Sequence, residues 1–259
     1  MAGRIEYKYL APVAALDDIR ADIQPYLQPD PFSETATGGE YTVRSIYYDT
    51  PRFACYEEKD AGIKVRNKFR IRGYNTAQDD SMVFLEIKKR CDCEIAKNRA
   101  PLLLSHLAAF LAAPDIDKYI LVMGGSARAR DDARRFLYHY YRLQLQPAVL
   151  AVYDREAFFG RFNPSLRVTF DKRLRGCLSP RLCDLYNEDC LSPVMQRHFI
   201  FELKFFHRAL PQWAPDVIRR YSLPRMALSK YTHCLDLRNV RPRAPQPPRV
   251  PSAAEHAFA

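Results

Sequence analysis

Residues 63–74 read Ile63-Lys64-Val65-Arg66-Asn67-Lys68-Phe69-Arg70-Ile71-Arg72-Gly73-Tyr74. Lys64, Arg66, Lys68, Arg70 and Arg72 take every second position, and Ile63, Val65, Asn67, Phe69 and Ile71 lie between them. Side chains on a strand alternate faces, so the stretch predicts one strand with a cationic face and a mostly apolar face. Whatever lies against the first face meets five positive charges in a row.

Outward from this stretch the half-charged pattern recurs. Candidate strands are 4–9 (Arg4, Glu6 and Lys8 in phase), 41–49, 63–73, 82–90 (Glu86, Lys88 and Arg90 opposite Val83, Leu85 and Ile87) and 93–99 (Lys97 and Arg99 in phase). They continue with 147–156 (Tyr153 with Arg155), 166–173 (Arg167, Thr169, Asp171 and Arg173 opposite Leu166, Val168 and Phe170) and 198–206 (Glu202 and Lys204 opposite Phe201, Leu203 and Phe205). Helical spacing predicts helices near 13–24, 102–112, 126–143 (Ser126 as N-cap), 213–221 and 226–236. For any one strand, a solvated charged face is the simpler account. Against it stands a repeated acid-x-Lys triplet: Glu6-Tyr7-Lys8, Glu86-Ile87-Lys88 and Glu202-Leu203-Lys204. The opposite faces are large and apolar, as if covered by helices. Eight strands can close into a barrel that holds a ligand. The expected fold is therefore α+β, an eight-stranded antiparallel β-barrel, or tunnel, with helices packed around it.

An inward charged face needs partners, because buried charge is costly unless paired. A phosphate chain with a divalent cation supplies them: Arg grips phosphate as a fork, Lys as a point charge, and carboxylates hold Mg²⁺ or Mn²⁺. The net charge of +10 agrees with a polyanionic partner without choosing among nucleic acid, anionic lipid and phosphate chains. No run of 18 apolar residues predicts a membrane span, and the charged start "MAGRIEYKYL" lacks a signal-peptide core. Seven cysteines, of which only Cys91 and Cys93 are close, as C-x-C, predict reduced thiols rather than a zinc site, and a cytoplasmic setting. The domain is expected over 1–239, followed by a Pro-rich disordered tail at 240–259.

In order, "RIEYKYL", "SIYYDTP", "KFRIRGY", "FLEIKKR", "AVYDREAFFG", "LRVTFD", "FIFELKF" and "LSKY" resemble a VTC-type polyphosphate polymerase domain, a branch of the triphosphate tunnel metalloenzymes of the CYTH-like superfamily. The resemblance runs from Arg4 to about Leu237. It implies a metal-dependent phosphotransferase: ATP bound in the tunnel through its phosphates, and its γ-phosphoryl group passed to a growing polyphosphate chain. By motif, Lys8, Arg70, Arg72 and Lys88 would grip the phosphates, with Lys204 beside them and Arg155 and Arg167 adding charge. Lys230 would reach in from the last helix. Glu202 would hold Mn²⁺ or Mg²⁺, with Glu6 and Glu86 completing metal or outer contacts. The hydrolase branch begins Glu-x-Glu-x-Lys, and Arg4 here replaces the first acid. Eukaryotic relatives add a phosphate-sensor domain and a membrane module; export of product would need a membrane partner of this kind.

Three readings compete: the polymerase, an inorganic or nucleoside triphosphatase on the same fold, and a non-catalytic polyanion or RNA binder. Inward carboxylates argue against the last, and no nucleic-acid partner is expected. Lys64 and Lys68 are expected either in the tunnel or at its rim, and Arg90 in solvent. Asp171 is expected to pair with Arg173 or Arg167, with assistance to the metal as the alternative. Tyr47, Tyr48 and Asp49 are expected to close a strand before Pro51, and Trp213 to anchor a helix start. His207 and His233 lack metal-ligand spacing. Arg128, Arg130, Arg134 and Arg135 form a basic helix face.

Overall fold

The computed structural model describes residues 5–91, 94–122, 128–206 and 210–240. Arg4, Cys93, Ser126, His207 and the tail past Val240 lie outside them. Ten strands are present among the described residues: β1 (Ile5–Pro12), β2 (Leu27–Pro29), β3 (Tyr41–Asp49), β4 (Val65–Tyr74), β5 (Met82–Cys91), β6 (Glu94–Leu103), β7 (Gln146–Gly160), β8 (Arg167–Leu178), β9 (Ser192–Met195) and β10 (His198–Phe205). The helices are α1 (Leu16–Ile23), α2 (Pro31–Thr35), α3 (Ala54–Asp60), α4 (Leu107–Ala112), α5 (Ile116–Tyr119), α6 (Arg128–Arg142), α7 (Ala214–Arg220) and α8 (Lys230–Leu235). The eight expected strands form one antiparallel path, β1-β10-β8-β7-β3-β4-β5-β6; the short β2 and β9 pair outside it. The expected α+β class holds.

The expected closure into a barrel is not made by backbone pairing, because β1 and β6 end the path without bonding each other. Their edges are covered instead. Met226 N donates to Lys8 O (2.9 Å) and Leu10 N to Pro224 O (3.2 Å), so the segment before α8 lies along β1. Leu102 of β6 bridges Ile120. Side chains then span the gap: Lys88 of β5 reaches both oxygens of Glu6 on β1. An open edge is a liability, and these coverings occupy its donors and acceptors.

The apolar faces point outward, under helices. Phe69, Ile71, Val83, Leu85 and Ile87 pack against Phe110, Ala133 and Phe136. Ala133, Phe136 and Leu137 fall at i, i+3 and i+4 of α6, which makes one helix face apolar. On the other side Phe170, Phe199, Phe201 and Leu203 meet Ile19, Ile23 and Val217 from α1 and α7. Each fully buried phenylalanine contributes about 1.5–3 kcal/mol of transfer free energy. The inner face is left with the charges, as the alternation predicts.

There are three local differences. Lys64 precedes β4 and is exposed, so four cations of the opening stretch, not five, enter the sheet. Arg173 has φ 49° beside a register shift between β7 and β8. That bulge reverses the alternation and sends Arg173 away from the inner face, to Asp154 (2.9 Å) and Glu40. The helices α2, α3 and α5, four to seven residues long, fall outside the predicted helices. Trp213 sits just before α7, stacked on Tyr26 as an anchor.

Candidate functional site

The curled sheet encloses a cavity of about 1300 Å³. All eight strands of the main path contribute to its lining, together with α2, α3, the covering segment and the start of α8. Among the described residues the lining has fifteen Lys and Arg side chains and three carboxylates, Glu6, Asp80 and Glu202. The predicted Lys8, Arg70, Arg72, Lys88, Arg155, Arg167, Lys204 and Lys230 all line it. So do Lys68 and Arg90, the latter exposed to solvent as expected.

Two carboxylates sit behind the lining and hold its arginines. Glu86 is fully buried and does not face the cavity. Its Oε2 receives Arg70 through Nε (2.7 Å) and Nη2 (2.6 Å), with Arg72 at 3.9 Å; its Oε1 meets Lys97 (2.6 Å) and Arg99 (3.2 Å). Burial alone would raise the Glu86 pKa, but the four cations outweigh it and hold the carboxyl well below the ordinary range. Both oxygens are engaged by cations, so of the metal or outer contacts expected of Glu86 the arrangement fits the outer one, holding arginines in place from behind. Asp171 is the second. Arg155 gives it a two-bond fork (2.6 and 2.8 Å) and Lys230 ion-pairs with its Oδ2. Its partners are thus Arg155 and Lys230 rather than Arg173 or Arg167. Lys230 gets there because α8 lies close on β8: a Cβ on Gly176 would meet Cys234 Cβ at 2.9 Å.

The remaining clamps are also fixed. Arg72 donates to Ser45 Oγ (3.1 Å) and Tyr153 Oη (3.4 Å), Arg70 to Tyr47 Oη (3.0 Å), and Arg167 to Asp30 (2.8 Å). Tyr47 was expected only to close a strand; its ring lines the cavity, while Asp49 takes the structural role, accepting from the backbone N–H of Cys55 and Tyr56 at the start of α3. Lys97 and Arg99 were in phase on their strand but absent from the predicted site. Lys97 is pushed down to about 7 by burial and by Arg70, Arg72 and Arg99, despite Glu86.

Glu6 and Glu202 are the pair that faces inward. Glu6 meets Lys8 (3.0 Å) and Lys88 (3.0 Å); Glu202 pairs with Lys204. Burial and the neighbouring Glu6 push Glu202 up, yet Lys204, Lys8 and Lys230 hold it below the usual range. Burial likewise lowers Lys204, to about 8. No cluster of three or more His, Cys, Asp or Glu that could hold a metal exists among the described residues. Two carboxylates nonetheless suit a hard cation that takes its other ligands from phosphate, as Mg²⁺ commonly does.

No carboxylate pairs with Lys68 among the described residues. Its Nζ donates to Ser229 Oγ (2.5 Å), and burial together with Lys8, Lys88, Arg66 and Lys59 drives its pKa well down. For this lysine the folded-state pKa lies below the unfolded one, so charging it costs stability at every pH below its ordinary range. Lys68→Met is expected to raise the Tm of the ligand-free protein at pH 7, by roughly 2–4 °C for each kcal/mol relieved. An unchanged or lowered Tm in a thermal melt would show that the charge is not under that penalty.

The family model described as "VTC domain" matches residues 3–238. No curated protein matches. A solved structure described as the PH1819 protein from Pyrococcus horikoshii OT3 is similar at a TM-score of 0.44 and 14% identity, covering 91% of this chain and 99% of that one.

Proposed function

The chain belongs to the VTC domain family, the CYTH-like tunnel fold of polyphosphate polymerase domains, and on that premise we propose that it is an ATP-dependent polyphosphate polymerase. The observation that carries the reading is the cavity wall: among the described residues, fifteen Lys and Arg side chains against three carboxylates, with Glu86 and Asp171 locking arginines from behind. Such a wall is complementary to a linear polyanion. The residues grip rather than react. Phosphoryl transfer asks mainly for alignment and for charge neutralisation on the transferring group. Arg70 and Arg72, held by Glu86, Tyr47 and Ser45, present fixed N–H donors to phosphate oxygens. Arg155 and Lys230, held by Asp171, lie beside them around the Tyr153 ring, to whose hydroxyl Arg72 also donates. Lys8, Lys88 and Lys204 supply mobile point charges that leave Glu6 and Glu202 as phosphate oxygens arrive. Glu202, with Glu6, would hold Mn²⁺ or Mg²⁺, which neutralises charge on the phosphoryl oxygens. A phosphate chain end as acceptor lengthens the polymer; water in its place gives the triphosphatase.

Purified protein with ATP, Mn²⁺ and a short polyphosphate primer is expected to give long chains on a polyphosphate-stained gel. Glu202→Gln should raise the Mn²⁺ concentration needed for half-maximal rate roughly tenfold, which corresponds to ~1.4 kcal/mol. Release of free phosphate without chains would replace the polymerase by the triphosphatase. No helix among the described residues is long and apolar enough to cross a membrane. ATP and polyphosphate are the partners this reading proposes, on the strength of the basic cavity wall.

A further inference from the structure

The two ends of the β4–β5 strand pair differ in kind. At one end the paired residues Arg66 and Arg90 line the cavity, both cations. At the other, beside Arg72 and Met82, the lining includes two rings, Tyr74 and Phe84. Those rings continue a chain. Phe84 lies edge-on to Tyr74 (6.0 Å between centroids), Tyr74 meets Tyr41 (6.1 Å), and Tyr41 meets Phe32 (6.3 Å). Three of the four are engaged: Tyr41 is buried, Arg99 covers the face of Phe84 at 3.5 Å, and Tyr74 Oη accepts from Arg99. Phe32 is different, a cavity-lining ring that is 71% exposed.

A lone exposed phenylalanine needs no explanation, and Phe162, more exposed and away from the cavity, is one. Phe32 is placed by the site itself. Asp30 caps α2 through Oδ1 on Ser33 N (2.8 Å) and holds Arg167 through Oδ2 (2.8 Å). Arg167 also donates to Tyr41 Oη (3.4 Å), the ring behind Phe32. One carboxylate therefore fixes both a phosphate-facing arginine and the helix that carries the exposed ring. A nucleotide has this layout, with anionic oxygens at one end and a flat apolar face one sugar away.

The geometry points to Phe32, backed by Tyr41, as the stacking platform for the base of the nucleotide, with the polymer leaving past Arg66 and Arg90. This rests on the cavity being a nucleoside triphosphate site. Stacking reads a π-face rather than a base edge, so the platform favours nucleoside triphosphates as a class over inorganic triphosphate.

The test compares ATP with inorganic tripolyphosphate, each bound to the full chain in calorimetry. Phe32→Ala, at an exposed position, should keep the wild-type Tm. It should weaken ATP by roughly five- to a hundredfold, the loss of one stacked base, and leave tripolyphosphate within about twofold. Phe32→Trp should hold ATP at least as tightly as the wild type. Equal losses for both ligands, or no loss for ATP, overturn the platform while the phosphate site stands. A wild-type chain that binds neither ligand overturns both readings.

Discussion

Arg70→Ala is expected to slow phosphoryl transfer from ATP by about a hundred- to a thousandfold, the loss that follows removal of one preorganised donor from a developing charge. Arg70 is suited to such a role because nothing about it needs to reorganise. Two of its N–H groups rest on Glu86 and a third on Tyr47, and its guanidinium lies over the Tyr47 ring. The substitution does not orphan the carboxylate behind it, since Arg72, Lys97 and Arg99 remain on Glu86. The fold should therefore survive, and a thermal melt run beside the rate assay separates catalysis from stability. Arg70→Lys should fall between, keeping the charge and losing the fork. A rate within threefold of wild type, with Tm unchanged, would place the chemistry away from this wall.

How much of this was legible in the chain follows from which signals are local. The alternation in β4, β5 and β10 is set by neighbours in sequence, and the inward cations it marked line the cavity. The bulge at Arg173 is a backbone event on a strand whose alternation otherwise runs on, and the phase it broke carried no compositional mark. Pairing partners are set by folding: Asp171 finds Lys230 across 59 positions, and Lys68 finds Ser229 across 161. Glu86 shows the limit most clearly. Its phase with Lys88 marked it as inward, yet Arg70 and Arg72 on the adjacent strand, with Lys97 and Arg99 on the other side, enclose it before it can reach the cavity. The open ends of the sheet were illegible for a related reason. Whether first and last strands meet depends on what covers them, here the segment before α8.

Glu86→Gln is expected to cost about 3–5 kcal/mol of stability at neutral pH, the usual loss when one side of a buried charge network is removed. The amide keeps the shape and removes the carboxylate that Arg70, Arg72, Lys97 and Arg99 share, so these four basic side chains are left facing one another in a poorly solvated wall. The loss should appear as a lower urea midpoint with an unchanged slope. Its pH dependence identifies the cause. Because the four cations depress the folded-state pKa of Glu86, its contribution is fully present above the ordinary glutamate value of 4.5 and is lost as pH falls towards the folded one. The gap between wild type and variant should widen from pH 8 to about 6, as Lys97, pushed down to about 7 beside Glu86 and lower still without it, takes up its proton, and should narrow below about 4.5 as Glu86 itself is protonated. A gap that persists unchanged to pH 3 would point to lost packing instead of lost charge. Tripolyphosphate should return part of the stability to the variant, since a bound polyanion supplies the charge that Glu86 supplied and binds only the folded state. The wall is stable without its ligand because Glu86 stands in for part of it from behind, which leaves the cavity-facing sides of Arg70 and Arg72 available to phosphate.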